Sequence, residues 1–197
     1  GLEEMTVDDD AMKAVCAACG RTSGAPMLHI AGHTPEAGMP SAPAADRVTI
    51  DREMLADAWR QLNSGGADID LVAIGSPHLS LAELYLIDTA FDGRHRHADV
   101  KLILTIGRDI LDTARRDGVA ARLEASGATL YSDLCWCSIT QPLFPPETKV
   151  LMTNSGKYAH YATGLSGCRV RLGGITACVE AAVSGIANTA LPRWLGH

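Results

Sequence analysis

Aromatic residues are scarce in this 197-residue chain, 5% of the total, so any core must be assembled mainly from Ala, Val, Leu and Ile. No cluster of Lys and Arg occurs and the formal net charge is −6. Both facts exclude the basic face that a nucleic-acid backbone requires. No apolar run approaches the ~18–20 residues of a membrane-spanning helix, and the start has no leader-peptide pattern. Cytoplasmic residence is the default expectation, with no membrane and no nucleic acid among the partners. Internal repeats and low-complexity stretches are missing. An initiator Met is missing too: the chain opens at Gly1, which points to a start inside a longer protein.

The six cysteines lack the even spacing of a small secreted disulfide framework. Cys16 pairs with Cys19 and Cys135 with Cys137 along the chain, while Cys168 and Cys178 stand apart. Reduced thiols or metal ligands are the expectation. The rest of the composition, 47% hydrophobic and 20% charged, is that of an ordinary globular protein. The length suffices for one domain with a real core, or two small ones.

Hydrophobic periodicity alternates between helix and strand. Residues from Asp9 to Cys19 carry a 3.6-residue apolar period and read as a helix. Pro26 to Ile30 reads as a short strand, followed by a long loop from Gly32 to Asp46. Asp51 is placed to cap a helix bearing Leu55, Trp59 and Leu62 on one face. Asp70 to Gly75 reads as a strand, and Ser80 caps the next helix with Glu83 at the capping-box position. Val100 to Ile106 is a further strand, leading to a helix from Asp109 to Ala125 interrupted near Gly118. Thr129 to Tyr131, Val150 to Met152 and Arg169 to Leu172 are short strands, and Thr176 to Val183 is a last helix. This order predicts a single α/β domain over residues 1–197, a mostly parallel sheet with helices on both faces. Ligands of such sheets bind outside the carboxyl ends of the strands.

Unusual residues collect in the loops at those ends. The candidates are His29 and Thr34-Pro35-Glu36 after the first strand, Ser76-Pro77-His78 and Ser80 after the second, Asp133 to Cys137, and Asn154 to Tyr161. Convergence of His, Glu, Lys, Asn and Cys suits a small polar substrate. Each has a plainer reading. His78 reads equally as a hydrogen-bonded turn residue, and Thr34-Pro35-Glu36 as a helix start with Pro at the first position. Asn154-Ser155-Gly156-Lys157 lacks the spacing of a phosphate-binding loop. Cys16 and Cys19 lie on an apolar helical face, where cysteines act as small buried hydrophobes. Cys135 sits in a loop with little reason to bury a thiol. Cys178 begins an apolar helix, where the positive end favours a thiolate, the form that binds iron.

Taken together, Gly32-x-Thr34-Pro35-Glu36-Ala37, Gly75-x-Pro77-His78-x-Ser80, Asp133-x-Cys135, Thr153-Asn154-Ser155-x-Lys157-x-Ala159-His160-Tyr161 and Cys178-x-Glu180-Ala181-Ala182 resemble the aconitase X family. The likeness runs from about Ala11 to Gly185, and Asn154 to Tyr161 is its most specific part. The resemblance implies an aconitase-like three-layer α/β/α fold and an iron–sulfur-dependent dehydratase. It implies a cluster held by three cysteines, of which Cys135 and Cys178 match two, with the third outside this chain. It also implies two partners absent from the chain: the rest of the catalytic domain and a small swivelling domain that supplies the base. The chain is then a C-terminal portion, inactive by itself. The segment from Cys135 to Pro142 is more like the branch acting on cis-3-hydroxy-L-proline than the branch acting on mevalonate 5-phosphate. A non-catalytic domain that binds a small acid or pairs with another subunit is the other expectation.

Under the lyase reading, Lys157, Asn154 and Ser155 donate to a substrate carboxylate. His78 and His160 orient or protonate the leaving oxygen, Glu36 meets the ring ammonium, and Thr34 and Ser80 complete the binding loops. A missing neighbour domain also predicts an exposed apolar patch.

Overall fold

The computed structural model describes residues 2–24, 27–39, 46–139 and 142–196. Among them are seven α-helices: α1 (Asp9–Thr22), α2 (Arg52–Gln61), α3 (Leu81–Phe91), α4 (Arg108–Arg116), α5 (Val119–Ala125), α6 (Gly156–Ser166) and α7 (Ile175–Ser184). The strands are β1 (Leu71–Leu79), β2 (Lys101–Ile106), β3 (Thr129–Ser132), β4 (Val150–Thr153) and β5 (Arg169–Leu172). Every pairing is parallel, in the order β3-β2-β1-β4-β5. The chain winds outward from β1 to β3, then crosses back to place β4 on the other side of β1. The gap between the carboxyl ends of β1 and β4 is therefore the point where the winding reverses, the usual ligand crevice of an open α/β sheet.

Side chains of alternate parity enter two cores, because successive residues of a strand face opposite ways. Val72, Ile74, Leu102 and Leu104 pack against Leu84 and Ile87 of α3, Leu123 of α5 and Val179 of α7. Leu71, Ala73, Ile103, Leu151 and Val170 meet Tyr158 and Ala162 of α6, with Trp136 and Phe144. Burial on both faces explains why these strands read as unbroken apolar runs. The result is the three-layer α/β/α arrangement that the sequence predicts.

Local signals act as expected at several helix ends. Ser80 Oγ accepts from the Glu83 N–H at 3.1 Å while Glu83 Oε2 accepts from the Ser80 N–H at 2.9 Å, a complete capping box. Asp51 Oδ1 accepts from the Met54 N–H at 2.9 Å. The helix expected from Asp109 to Ala125 breaks into α4 and α5 at Gly118, whose φ is +77°. Gly75 has φ +110°, and a Cβ there would lie 2.3 Å from the Thr105 carbonyl oxygen. Only glycine lets β1 and β2 approach here, and Thr105 Oγ1 uses the space to donate to the Gly75 carbonyl at 2.7 Å. β1 then continues past Gly75 to Leu79, through a register shift against β2 and a cis Ser76–Pro77 peptide.

Four expectations are corrected. Residues 27–30 form no strand (Pro26 lies outside the described residues), so His29 is not delivered by the sheet. A short 3-10 turn, Pro35–Gly38, interrupts the expected loop; residues 40–45 lie outside the described set. The segment after β4, read as a loop through Tyr161, turns helical at Gly156: Ser155 Oγ accepts from the Tyr158 N–H at 3.1 Å, and Gly167 in the left-handed region ends the helix. Finally, α1 has no buried residue. Cys16 is exposed and Cys19 half-exposed, because no layer covers that face.

Candidate functional site

The crevice between β1 and β4 is a small cleft lined by Lys13, Ser76, Pro77, Glu83, Asn154, Ser155, Gly156 and Lys157. Its floor is built by the strand ends. Buried Thr153 closes β4, and its Oγ1 accepts from the Ser155 N–H at 3.1 Å. Ser155 in turn caps α6, so its hydroxyl is committed to that helix. Lys157 stands in the first turn of α6, where the helix end is positive and anions are favoured.

One wall is held by charge. Lys13 Nζ donates to Asp10 Oδ1 at 2.8 Å, to Glu83 Oε2 at 2.6 Å and to the His78 carbonyl at 3.0 Å. Ser80 Oγ donates to Asp10 Oδ2 at 2.7 Å. Burial would by itself raise the Asp10 carboxyl, but the hydrogen bonds from Lys13 and Ser80 outweigh it and hold the group below its ordinary range. Burial likewise works to lower Lys13, and its bonds to Asp10 and Glu83 reverse that, leaving the ammonium above its usual value. The His78 ring is half-buried, with Nε2 2.9 Å from the Leu134 carbonyl. That contact ties the end of β1 to the cysteine loop.

Beside the cleft, a cavity of about 360 Å³ is lined by Arg21, Cys135, Cys137, Ser138, Lys157, Tyr158, Tyr161 and Leu165. Lys157 borders both spaces. The Cys135 and Cys137 sulfurs lie 2.8 Å apart. Burial pushes the Cys137 thiol up, but Cys135, Ser76 and the Lys157 charge together bring it below the usual thiol range. The Ser76 hydroxyl is buried with no well-formed hydrogen bond, so its influence on Cys137 is that of a nearby dipole. The loop is anchored by Trp136, fully buried against Tyr158 at 4.5 Å between ring centroids. It is also anchored by Asp133, whose carboxylate accepts from the Arg108 backbone N–H at 3.0 Å and from the Arg108 guanidinium. The Arg108 backbone N–H, and then its side chain, keep the Asp133 carboxyl below its ordinary range.

The structure thus brings Asn154, Ser155, Lys157, His78 and Cys135 to one end of the sheet. It does not bring the other candidates into these cavities. Thr34 Oγ1 exchanges hydrogen bonds with the Ile30 backbone, and Glu36 is exposed on the short turn that follows. His160 is exposed, edge-on to Tyr161. Ser80 is occupied by the helix cap and Asp10. Cys178 is 0% exposed; its Sγ donates weakly to the Gly173 carbonyl at 3.7 Å, and burial pushes its thiol well up. Among the described residues no three His, Cys, Asp or Glu side chains are grouped closely enough to hold a metal ion.

The open thiol of Cys135, with a second thiol at Cys137 and the Lys157 charge beside it, is the donor set among the described residues that could take part in holding an iron–sulfur group, and by itself it does not complete a site. Cys178, at the start of α7, has no opening toward that cavity in this conformation. Sequence reasoning missed Lys13 and Arg21 as parts of the site, and gave Ser76 and Cys137 a place in the candidate loops but no role. The Asp10–Lys13 spacing on a helix was a usable signal for an ion pair, but its partner Glu83 is 70 residues further on.

Two family models match the chain: the aconitase X second domain over residues 1–60 and the aconitase X third domain over residues 69–184. A cis-3-hydroxy-L-proline dehydratase of Pseudomonas aeruginosa is 46% identical over 100% of this chain and 35% of its own length. One of the same name from Hypocrea jecorina is 35% identical, over 99% of this chain and 34% of its own. The phosphomevalonate dehydratase large subunit of Methanothermobacter thermautotrophicus is 31% identical, over 80% and 39%. The crystal structure of Thermococcus kodakaraensis aconitase X in its holo-form superposes with a TM-score of 0.78 at 24% identity, covering 91% of this chain and 46% of that one. The chain spans about a third of the length of the dehydratases it matches. Domain matches over residues 1–60 and 69–184, and an identity of this level along its whole length, show that the chain belongs to the aconitase X family.

Proposed function

We propose that this chain supplies the second and third domains of a hydro-lyase that dehydrates cis-3-hydroxy-L-proline. The observation that carries the reading is the 46% identity, over the whole chain, to a relative named for that reaction. The geometry supports it: a crevice for a small acid at the winding reversal, with Lys13, Lys157 and Asn154 on its walls, and a cavity beside it that presents the thiols of Cys135 and Cys137. The phosphomevalonate branch is a poorer match, at 31% identity or less.

The reaction removes water. A proton leaves the ring carbon that bears the carboxylate, the hydroxyl leaves the adjacent carbon, and a carbon–carbon double bond forms between them. The resulting enamine acid tautomerises to a cyclic imine. Cys135 and Cys178, with a cysteine outside this chain, would hold an iron–sulfur cluster, which when bound would supply Lewis acidity for the departing hydroxyl. For Cys178 to serve, the start of α7 must be uncovered when the remaining domain seats. The chain's own residues bind and orient. Asn154, Lys157 and the first turn of α6 meet a carboxylate, with Ser155 holding that turn in place. His78, whose ring is held by the Leu134 carbonyl beside the cysteine loop, is assigned the steering of a proton toward the leaving oxygen. Ser80 acts by holding α1 through Asp10. Thr34, Glu36 and His160 contribute only on contact with domains this chain lacks. Those are the rest of the catalytic domain and a swivelling domain carrying the base.

The test is a chimera: the corresponding third of the Pseudomonas aeruginosa relative is replaced by this chain and assayed anaerobically after iron and sulfide loading. Dehydration of cis-3-hydroxy-L-proline, with no reaction of mevalonate 5-phosphate, is expected. A folded, iron-loaded chimera inert toward the hydroxyproline overturns the reading.

A further inference from the structure

Two cations face the cysteine cavity and neither has an anionic partner. Among the described residues, no carboxylate pairs with the Arg21 guanidinium or the Lys157 ammonium, and no Asp or Glu lines the cavity between them. Several other described arginines are committed to partners: Arg94 pairs with Glu180, Arg108 with Asp133 and Arg122 with Asp88, while Arg96 and Arg171 donate to backbone carbonyls. Arg21 is instead held by an aromatic ring, its guanidinium carbon 5.6 Å from the Tyr161 centroid. The Tyr161 hydroxyl donates to the Arg21 carbonyl, pinning the end of α1 to α6. The planar fork is thereby preorganised without its donors being consumed. Lys157 approaches from the opposite helix, and Tyr158 and Leu165 supply apolar wall.

We infer that Arg21 and Lys157 form a clamp for the carboxylate of a small acid, in the cavity that also presents Cys135 and Cys137. This deepens the dehydratase reading: it rests on an acid being the substrate, and names Arg21 as the residue that selects it. A guanidinium fork accepts a carboxylate through two parallel hydrogen bonds, and a lysine adds charge without directional demand. Holding the carboxylate at this wall would keep the carbon that bears it beside the thiols. The clamp also requires α1, from the part matched by the second-domain model, to meet α6, from the part matched by the third-domain model.

The test measures binding to this chain, free of metal and without turnover. Chemical-shift titrations with L-proline, L-prolinamide and inorganic phosphate are run on the unmodified chain and on Arg21→Gln, Arg21→Lys and Lys157→Gln. Arg169→Gln, at an exposed arginine on the far end of β5, serves as the charge control. L-Proline is expected to shift the amides of residues 156–161, with L-prolinamide at least about tenfold weaker. Arg21→Gln and Lys157→Gln each weaken L-proline about tenfold, the size of a lost charged hydrogen bond; Arg21→Lys falls between, and Arg169→Gln changes nothing. Equal response to acid and amide, no response at all, Arg169→Gln matching Arg21→Gln, or phosphate binding alone would each overturn the clamp. A chimera without lyase activity beside an intact, Arg21-dependent response sinks the reaction and leaves the clamp. The converse result does the opposite.

Discussion

Cys135 and Cys178 illustrate how far one residue's chemistry depends on its surroundings. Along the chain one reads as a loop residue and the other as the start of a helix, and both were expected to present sulfur to iron. In the fold one is open beside a second thiol and a lysine charge, while the other is sealed in the core of α7 with its thiol pushed up by burial. A metal site needs deprotonated sulfur, so the two substitutions should separate. In the iron-loaded chimera, Cys135→Ala is expected to remove most iron and acid-labile sulfide with no change in thermal stability. Cys178→Ala is expected to remove them too, but also to lower stability by about 1 kcal/mol, the scale of a small buried side chain. Iron retained in full by Cys135→Ala, measured by metal content and visible absorbance, would remove it from the ligand set. Serine 155 makes the same point in reverse: a candidate donor by type, it is spent on the α6 cap.

At the scale of elements, α1 is the informative case. It buries no side chain, so its docking depends on polar links: Lys13 to Asp10, Glu83 and the His78 carbonyl, and Tyr161 to the Arg21 carbonyl. Lys13→Met is expected to weaken docking by about 1–2 kcal/mol after allowing for partial solvent screening. Amide exchange across α1 should then rise by about 5–30-fold, with β1 and β2 unchanged. The pH dependence follows from the two shifts. The Asp10 carboxyl is lowered on folding, so its contribution is complete above the ordinary carboxylate range and is lost as pH falls through the folded value. Lys13 is raised, so its contribution is complete below the ordinary lysine value and is lost as pH rises through the folded one. Docking of α1 is expected to fail first at both extremes, and exchange that is flat from acid to alkali would refute this account. The helix α6 went unread for a related reason: Gly156, Gly164 and a run of His and Tyr mask its period, and only the Ser155 cap and the cover it gives Leu71 and Leu151 make it a helix.

At the scale of the molecule, the two cores belong almost wholly to the sheet and its helices. Within residues 1–60 only Ile30 and Ala56 are buried among those described, whereas Leu2, Met5, Val15, Met27, Met39, Val48, Ile50, Met54 and Leu55 are exposed. Hydrogen exchange should show residues 2–24 and 46–60 exchanging ahead of β1, β2 and α3, because opening them exposes little apolar area. Uniform protection along the chain would show that the first segment is integral to the core. No described helix is long and apolar enough to cross a membrane. The sequence by itself determined the strand and helix order from β1 onward except for α6, the parallel sheet and the break at Gly118, because period, cap and glycine are local signals that survive without a fold. It also carried the family resemblance, since loop motifs are linear. Tertiary structure alone decided which loops met. Arg21 and Lys157 line one cavity, and Lys13 reaches Glu83, only because the winding reverses between β1 and β4 and brings α1 and α6 together there. No spacing along the chain encodes a contact made across a crevice.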